Sequence, residues 1–389
     1  MNSKKTNNLI SVENAQEIIF SKFKKLETIK KKLIDSSGFI LEKEIKALFD
    51  LPNKNNSAMD GFAVRHEDLE PNKSLKVVGR VGAEAITDYV LKKDEALRIM
   101  TGSGIPEGAD SVVPFEKTNN NPHKGNDFPD SVIINETVKK GDNIRLSGQD
   151  YKFGETVVKG GMLIDPPIVG AIASFGINEV SVIRKPLVSV ISTGNELVMP
   201  GDKLKEGQIY DSNSFAISAA IKNSGADFKM HRILSDNKED VDKLYEDCSQ
   251  SDLIVTIGGV SKGDFDLIRD AISSKGSIDF WGINMKPGKP LAFGQVKIKG
   301  KNLFHIGLPG NPVSSYVCFE LFIRPVLLKM QGIKNIHRKK VLAKINIDIE
   351  NGKIRWIVNL VKNISEENNN LWLTPVLINN KLITVGGNK

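Results

Sequence analysis

Two cysteines in 389 residues, Cys248 and Cys318, are too few for a disulfide framework. Neither belongs to a CxxC pair and neither has histidines at zinc-ligand spacing, which excludes a structural zinc site built on them. A reducing compartment, the cytoplasm, is the expected location. Aromatic residues make up only 6% of the chain, which leaves no stacking platform for single-stranded nucleic acid. No apolar run reaches the length of a membrane span. The stretch after Met1 to Ile10 lacks the apolar core and small-residue cleavage site of a secretory leader. Five histidines, His66, His123, His231, His305 and His337, assemble with no serine and acid into a nucleophilic triad. There is no fixed-period repeat.

What is present is an ordinary globular composition, 40% hydrophobic and 26% charged, in a chain long enough for two to four domains with clefts between them. The net charge of +7 is spread along the chain rather than gathered in a stripe. Neither nucleic acid nor a membrane is therefore an expected partner, and diffuse positive charge suits an enzyme of polyanionic substrates.

From Ser11 to Lys32 the apolar positions Ala15, Ile18, Ile19, Phe23, Leu26 and Ile29 recur at helical spacing, with Ser11 as cap. Between Leu51 and Asn135 short β-rich runs take over, at Leu75 to Val81, Ala96 to Met100, Ser111 to Phe115 and Ser131 to Ile134. Gly, Pro, Asn and Asp clusters separate them, and Asn119 to Asp130 reads as an exposed loop. From Leu187 onward strands and helices alternate. Strands are expected at Val188 to Ser192, Phe228 to Leu234 and Leu253 to Ile257, and helices at Asn213 to Asn223, Lys238 to Cys248, Asp266 to Ser273 and Pro312 to Met330. This rhythm predicts a doubly wound, mainly parallel sheet. Beyond Arg338, short strands such as Val341 to Ile347 and Lys353 to Val361 suggest a small β appendage.

The fold class is thus multidomain α/β. Residues 8–50 and 142–181 are expected to form a helical or mixed linker domain in two segments. Residues 51–141 form an inserted β module, 182–330 the doubly wound domain, and 331–389 a shortened C-terminal β domain.

Chemistry is concentrated where strands end. In Ile257-Gly258-Gly259-Val260-Ser261-Lys262-Gly263-Asp264-Phe265-Asp266, glycines follow an apolar strand and precede a helix, which lets a phosphate approach free N–H groups. A tight turn with a capping Asp is the plain alternative. Asp264 and Asp266 beside such a site make sense if a hard cation lies between them and the phosphate. Ser192-Thr193-Gly194-Asn195-Glu196 ends a second strand, and ligands of open α/β sheets bind outside the carboxyl ends of strands. Glu196 reads there as a metal ligand or hydrogen-bond acceptor, or else as a solvated acid at a turn. Asp211 and Ser212 open a helix as a cap and a polar contact. Lys286 and Lys289 flank a rigid turn and could neutralise oxyanions, or simply be solvated. Leu308-Pro309-Gly310-Asn311-Pro312 is explained locally by capping, and it also lets an anion approach Gly310. In the first half, Asp60, Thr101, Arg145 and Asp150 stand at strand entries and ends, where turn roles account for them equally well.

Taken together, NSAMDGFA, RIMTGSGIPEGAD, GDNIRLSGQD, STGNEL, GQIYDSN, GGVSKGDFD, MKPGKP and GLPGNPVS, in this order between residues 56 and 315, resemble the MoeA family of molybdopterin molybdenumtransferases, related to the E domain of gephyrin. The resemblance implies a homodimer that acts on molybdopterin adenylate and molybdate, forms molybdenum cofactor and releases AMP. It also implies Mg2+ or another divalent cation, held by Asp60, Glu196 and Asp266. Asp60, Thr101 and Asp150 would approach from one subunit, and Glu196, Asp236, Asp266, Lys286, Pro309 and Pro312 from the other. Catalysis is expected of Asp60, Thr101, Asp150, Glu196 and Asp266. Substrate binding is expected of Arg145, Thr193, Gly194, Ser212, Asp236, Gly258, Gly259, Ser261, Gly263, Lys286, Lys289, Pro309, Gly310 and Pro312. Contact with a molybdopterin adenylyltransferase is a further expectation.

Two departures are visible. Gly282 stands where some relatives have a lysine, and after Leu373-Thr374-Pro375 the serine-containing segment of the family's last domain is not found. Two rival readings stay open: a molybdopterin adenylyltransferase, which shares the α/β domain, and a non-catalytic scaffold that binds pterin or protein.

Overall fold

The computed structural model describes residues 9–82, 88–120, 129–231, 238–258, 272, 276–338, 371–378 and 381–388, with 238–242 and the last two stretches as backbone only. The chain divides into two compact units. Unit 1 is Met1–Glu42, Gly161–Asp165 and Glu179–Lys389, and unit 2 is Lys43–Gly160 and Pro166–Asn178.

Unit 1 is built on a six-stranded sheet made of β1 (Leu187–Ser192), β2 (Asp227–Met230), β3 (Leu253–Ile257), β4 (Gly276–Trp281), β5 (Ala292–Ile298) and β6 (Lys301–Leu308), in the order β2-β1-β3-β6-β5-β4. The first four are parallel, while β5 and β4 add antiparallel strands at one edge. Both faces are covered, as a parallel sheet requires. Successive side chains point to opposite faces, so Val188 and Val190 of β1 join one core and Ile191 joins the other.

Helices α1 (Val12–Lys22), α2 (Ser212–Asn223), α3 (Lys238–Asp247), α4 (Pro312–Cys318) and α5 (Arg324–Met330) complete the layers. α1, α2, α4 and α5 supply the first core through Ala15, Ile19, Ile217, Ile221, Val317 and Leu327. Tyr245 of α3 packs into the second. Ile19 has no exposed surface, and its truncation to Ala would cost about 2–5 kcal/mol.

The helix expected through Lys32 ends at Lys22. Phe23 turns extended, Leu26 N–H donates to the Met330 carbonyl at 2.8 Å, and Thr28–Lys32 pairs with Glu179–Ile183 as a strand. Strand pairing overrides the helical spacing of Leu26 and Ile29 because Thr28 and Ile29 are β-branched and find an antiparallel partner. Ile40–Leu41 pairs on the other side of Glu179–Ile183, completing a three-stranded sheet. The flanking segments are therefore less helical than the sequence suggests: beyond α1, the helix among them is the short Pro166–Ala173 of unit 2. Arg184, next to this sheet, forks onto Asp252 at 2.7 and 2.9 Å and onto Glu27, tying it to the start of β3.

Unit 2 holds a five-stranded sheet in the order Ser111–Pro114, Gly61–Val64, Glu95–Ile99, Lys73–Val81, Ser131–Ile134. Apolar residues fill both of its faces, Phe62, Leu75 and Val113 among one group and Ala63, Leu97 and Ile99 among another. The Gly61–Val64 strand begins where the sequence places a strand entry, directly after Asp60. Gly61 is needed there because a Cβ would lie 2.1 Å from the Val113 carbonyl oxygen. Two short ladders, Asn56–Ser57 with Ile144–Arg145 and Ile45–Lys46 with Thr156–Val158, join distant parts of this unit.

At the end of unit 1, Leu371–Ile378 and Lys381–Asn388 form a hairpin whose first strand pairs with Met285–Lys286. The strands expected at Val341 to Ile347 and Lys353 to Val361 lie outside the described residues, as does most of the Asn119 to Asp130 loop. Among the described residues no helix is long and apolar enough to cross a membrane.

Candidate active site

The parallel strands β1, β3 and β6 end side by side, in the register Ser192 to Ile257 to Leu308. A cleft of about 240 Å3 opens at those ends. It is lined by Ser192, Thr193, Glu196, Leu197, Ile209, Tyr210, Asp211, Ser212, Asn213, Ile257, Gly258, Pro290, Pro309, Gly310 and Pro312. Seven residues expected from the sequence thus meet in one place: Thr193, Glu196, Ser212, Gly258, Pro309, Gly310 and Pro312.

Backbone forms the floor. Gly258 has φ +88° and a Cβ there would stand 2.7 Å from the Thr193 carbonyl oxygen, so only glycine fits without strain. Its N–H donates to the Leu308 carbonyl at 3.1 Å, and Thr193 N–H donates to the Ile257 carbonyl at 3.1 Å. The side-chain amide of Asn213 donates to the Gly310 carbonyl at 2.7 Å and locks the third segment in place. Gly194 lets the Glu196 carboxylate fold back over it, since a Cβ would come within 2.6 Å of a carboxylate oxygen.

α2 opens onto the cleft at Ser212 and Asn213. Its cap, Asp211, is buried and accepts from the Ser214 N–H at 3.0 Å and the Ser214 hydroxyl at 2.5 Å. The first-turn N–H groups and helix dipole give this rim an affinity for anions. α4 begins on the same edge, capped by Asn311 through the Ser314 N–H at 3.1 Å with Pro312 in its first turn. Ser192 lines the cleft and is 2% exposed, and its hydroxyl has no hydrogen-bond partner among the described residues.

Of the remaining expected residues, Gly194 adjoins the cleft. Lys286 and Lys289 are exposed, with Lys286 in the short strand that pairs with Leu377, and neither lines the cleft, although Pro290 does. Asp236, Gly259, Ser261, Gly263 and Asp266 lie outside the described residues.

A second constellation belongs to unit 2. Asp60 accepts from the Thr101 N–H at 2.6 Å and from the Thr101 hydroxyl at 2.7 Å through one oxygen. These two bonds, the backbone one first, hold its carboxyl below the usual carboxylate range, with Arg98 adding a favourable charge. Arg145 and Asp150 form an ion pair, and both are about two-fifths exposed. Asn56 pairs with Arg145 across the short ladder, Asn56 also bridges Gly104, and the Gly102 N–H donates to the Ser57 carbonyl at 2.8 Å. Three motifs separated by some forty residues each are stitched together by these bonds.

Three participants escape sequence reasoning: the buried Ser192 hydroxyl, the Asn213 clamp on Gly310, and Arg98 beside Asp60. Each lies inside or next to a motif, but its partner is set by strand order, which carries no local signal.

The model of the MoeA N-terminal region (domain I and II) matches residues 10–176, and a model described as "Probable molybdopterin binding domain" matches residues 189–329. The molybdopterin molybdenumtransferase of Staphylococcus epidermidis is 35% identical over 348 residues, which span 87% of this chain and 80% of that protein. The chain belongs to the MoeA family of molybdopterin molybdenumtransferases. Another member, from Haemophilus influenzae, is 37% identical over 303 residues, 78% of this chain and 72% of that protein. The crystal structure of the molybdopterin biosynthesis moeA protein of Pyrococcus horikoshii superposes with a TM-score of 0.65 at 28% identity, covering 85% of this chain and 82% of that one. In MoeA terms, the cleft falls within the part matched by the molybdopterin-binding model, and the Asp60 and Thr101 cluster within the part matched by the N-terminal model.

Proposed function

We propose that this MoeA-family chain transfers molybdenum from molybdate to an adenylylated molybdopterin and releases AMP. The observation that carries this reading is the cleft at the ends of β1, β3 and β6, where three chain segments present bare backbone and one carboxylate, Glu196, to a single space. Such a floor lets a pyrophosphate approach closely, and the first-turn N–H groups of α2 at its rim supply the donors that it needs.

The residues divide the work by their chemistry. Gly258 and Gly310 admit the phosphates, and the Ser212 and Asn213 end of α2 orients them. Thr193 offers a hydroxyl. Lys286, Lys289 and Arg145 balance oxyanion charge, and the Pro309 to Pro312 turn receives molybdate. Asp60, kept ionised by Thr101, and Glu196 carry the negative charge that the reaction requires near the pyrophosphate.

Two carboxylates facing a pyrophosphate repel it unless a cation intervenes. Oxygen donors beside a polyphosphate suit Mg2+, an ion commonly bound by a few carboxylates plus substrate phosphates rather than by an all-protein cage. The oxygen donors Glu196, Asp60 and the Ser192 hydroxyl, which has no partner among the described residues, fit such an ion. Asp60 and Glu196 would hold it, with Asp266 as a third carboxylate. When bound, it supplies positive charge that lowers the cost of breaking the phosphate linkage.

A homodimer completes the reading, with Asp60, Thr101 and Asp150 of one subunit serving the cleft of its mate. Delivery of the adenylylated pterin from an adenylyltransferase fits the same scheme. The test is incubation of the purified protein with molybdopterin adenylate, molybdate and Mg2+. AMP release is expected. A second reaction holding unadenylylated molybdopterin, ATP and Mg2+ separates the rivals: ATP consumption there without AMP release in the first identifies an adenylyltransferase, and neither reaction identifies a scaffold.

A further inference from the structure

Unit 1 contains a second, larger hollow of about 420 Å3, and its chemistry differs from that of the cleft. The final helix changes its winding here: between α4 and α5, residues Phe319–Ile323 form a π-type turn, and the Arg324 N–H reaches five residues back to the Phe319 carbonyl. Pro325 follows and has no N–H to continue the ordinary ladder. Turns of this kind gather at functional sites.

Glu320 is on that turn, and its carboxylate accepts both Nε and Nη2 of Arg338 at 3.0 Å. Arg324 stands close by but is not satisfied by it: its Nε is 3.9 Å from the same carboxylate, and its Nη1 donates to the Ile336 carbonyl at 3.2 Å. The Arg324 side chain is only 17% exposed. Burial first, and then Arg338 beside it, pull its pKa below that of an ordinary arginine. Among the described residues Lys185 and Lys222 also line the hollow, so four cations there stand against one carboxylate, a surplus of three positive charges.

A mostly buried guanidinium that shares its nearest described carboxylate with a second arginine is costly. The planar fork of arginine matches tetrahedral oxyanions, and the volume suits a small ligand. Tyr316 forms part of the wall, stacked on Phe319 at 6.2 Å and still 44% exposed, which offers an aromatic face next to the cations. We propose that this hollow is a binding site for a phosphate group, separate from the cleft, with Arg324 as its principal ligand and Glu320 as the built-in competitor for the same cations. The group can arrive as the free ion or as an ester with an aromatic substituent.

The test is calorimetric titration of the full chain at low salt with inorganic phosphate and with phenyl phosphate. Arg324→Gln is expected to weaken both by about tenfold, the scale of one charge-assisted bond. Lys222→Gln, on an exposed position that leaves the packing alone, is expected to weaken both by about threefold. Glu320→Gln should strengthen both, because it frees the Arg338 guanidinium and removes the negative charge beside Arg324; a merely structural ion pair predicts no gain. Tyr316→Ala separates the sources: weaker phenyl phosphate alone identifies the ester, and no change identifies the free ion. Phosphate affinity that is the same in wild type, Arg324→Gln, Lys222→Gln and Glu320→Gln overturns the proposal and leaves the cleft as the sole place where phosphate binds.

Discussion

The carboxylate of Glu196 occupies the space that a side chain at Gly194 would fill, with 2.6 and 2.7 Å between its two oxygens and the position of the missing Cβ. Gly194 also has φ +141°, which L side chains rarely adopt. Gly194→Ala should therefore move the carboxylate while sparing the buried strand before it. The expected result is a loss of AMP release of about tenfold or more, with a circular dichroism spectrum like that of wild type. Full turnover in this variant would show that the carboxylate position is immaterial.

Thr101 holds Asp60 ionised with a backbone and a hydroxyl donor. Thr101→Val keeps the first donor and removes the second. Losing a bond to the charged form raises the Asp60 pKa toward the ordinary carboxylate value. The acid limb of the pH-rate profile should then move to higher pH, and a carboxyl-carbon NMR titration should show the same direction. An unchanged profile would detach Asp60 from the rate.

Mixing subunits tests the dimer reading. Asp60→Ala and Glu196→Ala proteins are each expected to be inactive. After joint unfolding and refolding, half of the dimers carry one intact site if each site draws on both subunits, so about a quarter of wild-type activity returns. Sites built within one subunit recover nothing.

His305 is a pH probe for unit 1. It has no exposed surface, shares a hydrogen bond with the Thr256 hydroxyl at 3.0 Å, and is pushed down to about 3 by burial. In the unfolded chain it titrates near pH ~6.5. Between those values unfolding takes up a proton, so its contribution to stability is complete above the unfolded pKa and shrinks as pH falls, by at most about 1.4 kcal/mol per pH unit. Urea midpoints of wild type should fall more steeply than those of His305→Gln over this range. Parallel curves would mean that the imidazole is protonated in the folded state.

Much of this architecture is legible in the sequence, and the rest fails for physical reasons. The strand Leu253–Ile257 and helix α3 fall within a residue of expectation because an unbroken apolar run and an amphipathic pattern are local signals. α2 and the glycines at strand ends are readable for the same reason. The stop of α1 at Lys22 is not, since it depends on Glu179–Ile183, more than 150 residues away, offering a strand to Thr28–Lys32. The π-type turn at Phe319 is hidden inside what reads as one helix from Pro312 to Met330. Glu196 and Asp60 are each legible as acids at a strand end or entry, but the Asn213 bond to Gly310 appears only once β1, β3 and β6 are in order.

The floor of the cleft at Gly194, Gly258 and Gly310 is written in main chain, and this bears on inhibition. A compound that packs against this main chain contacts atoms that every residue type shares, so exchanging a side chain cannot delete its anchor. At Gly194 and Gly258 the added Cβ would meet atoms within 3 Å, and the natural ligand would suffer with the drug. Resistance would have to arise at the walls, where the exposed Ile209 and Tyr210 still leave room for change.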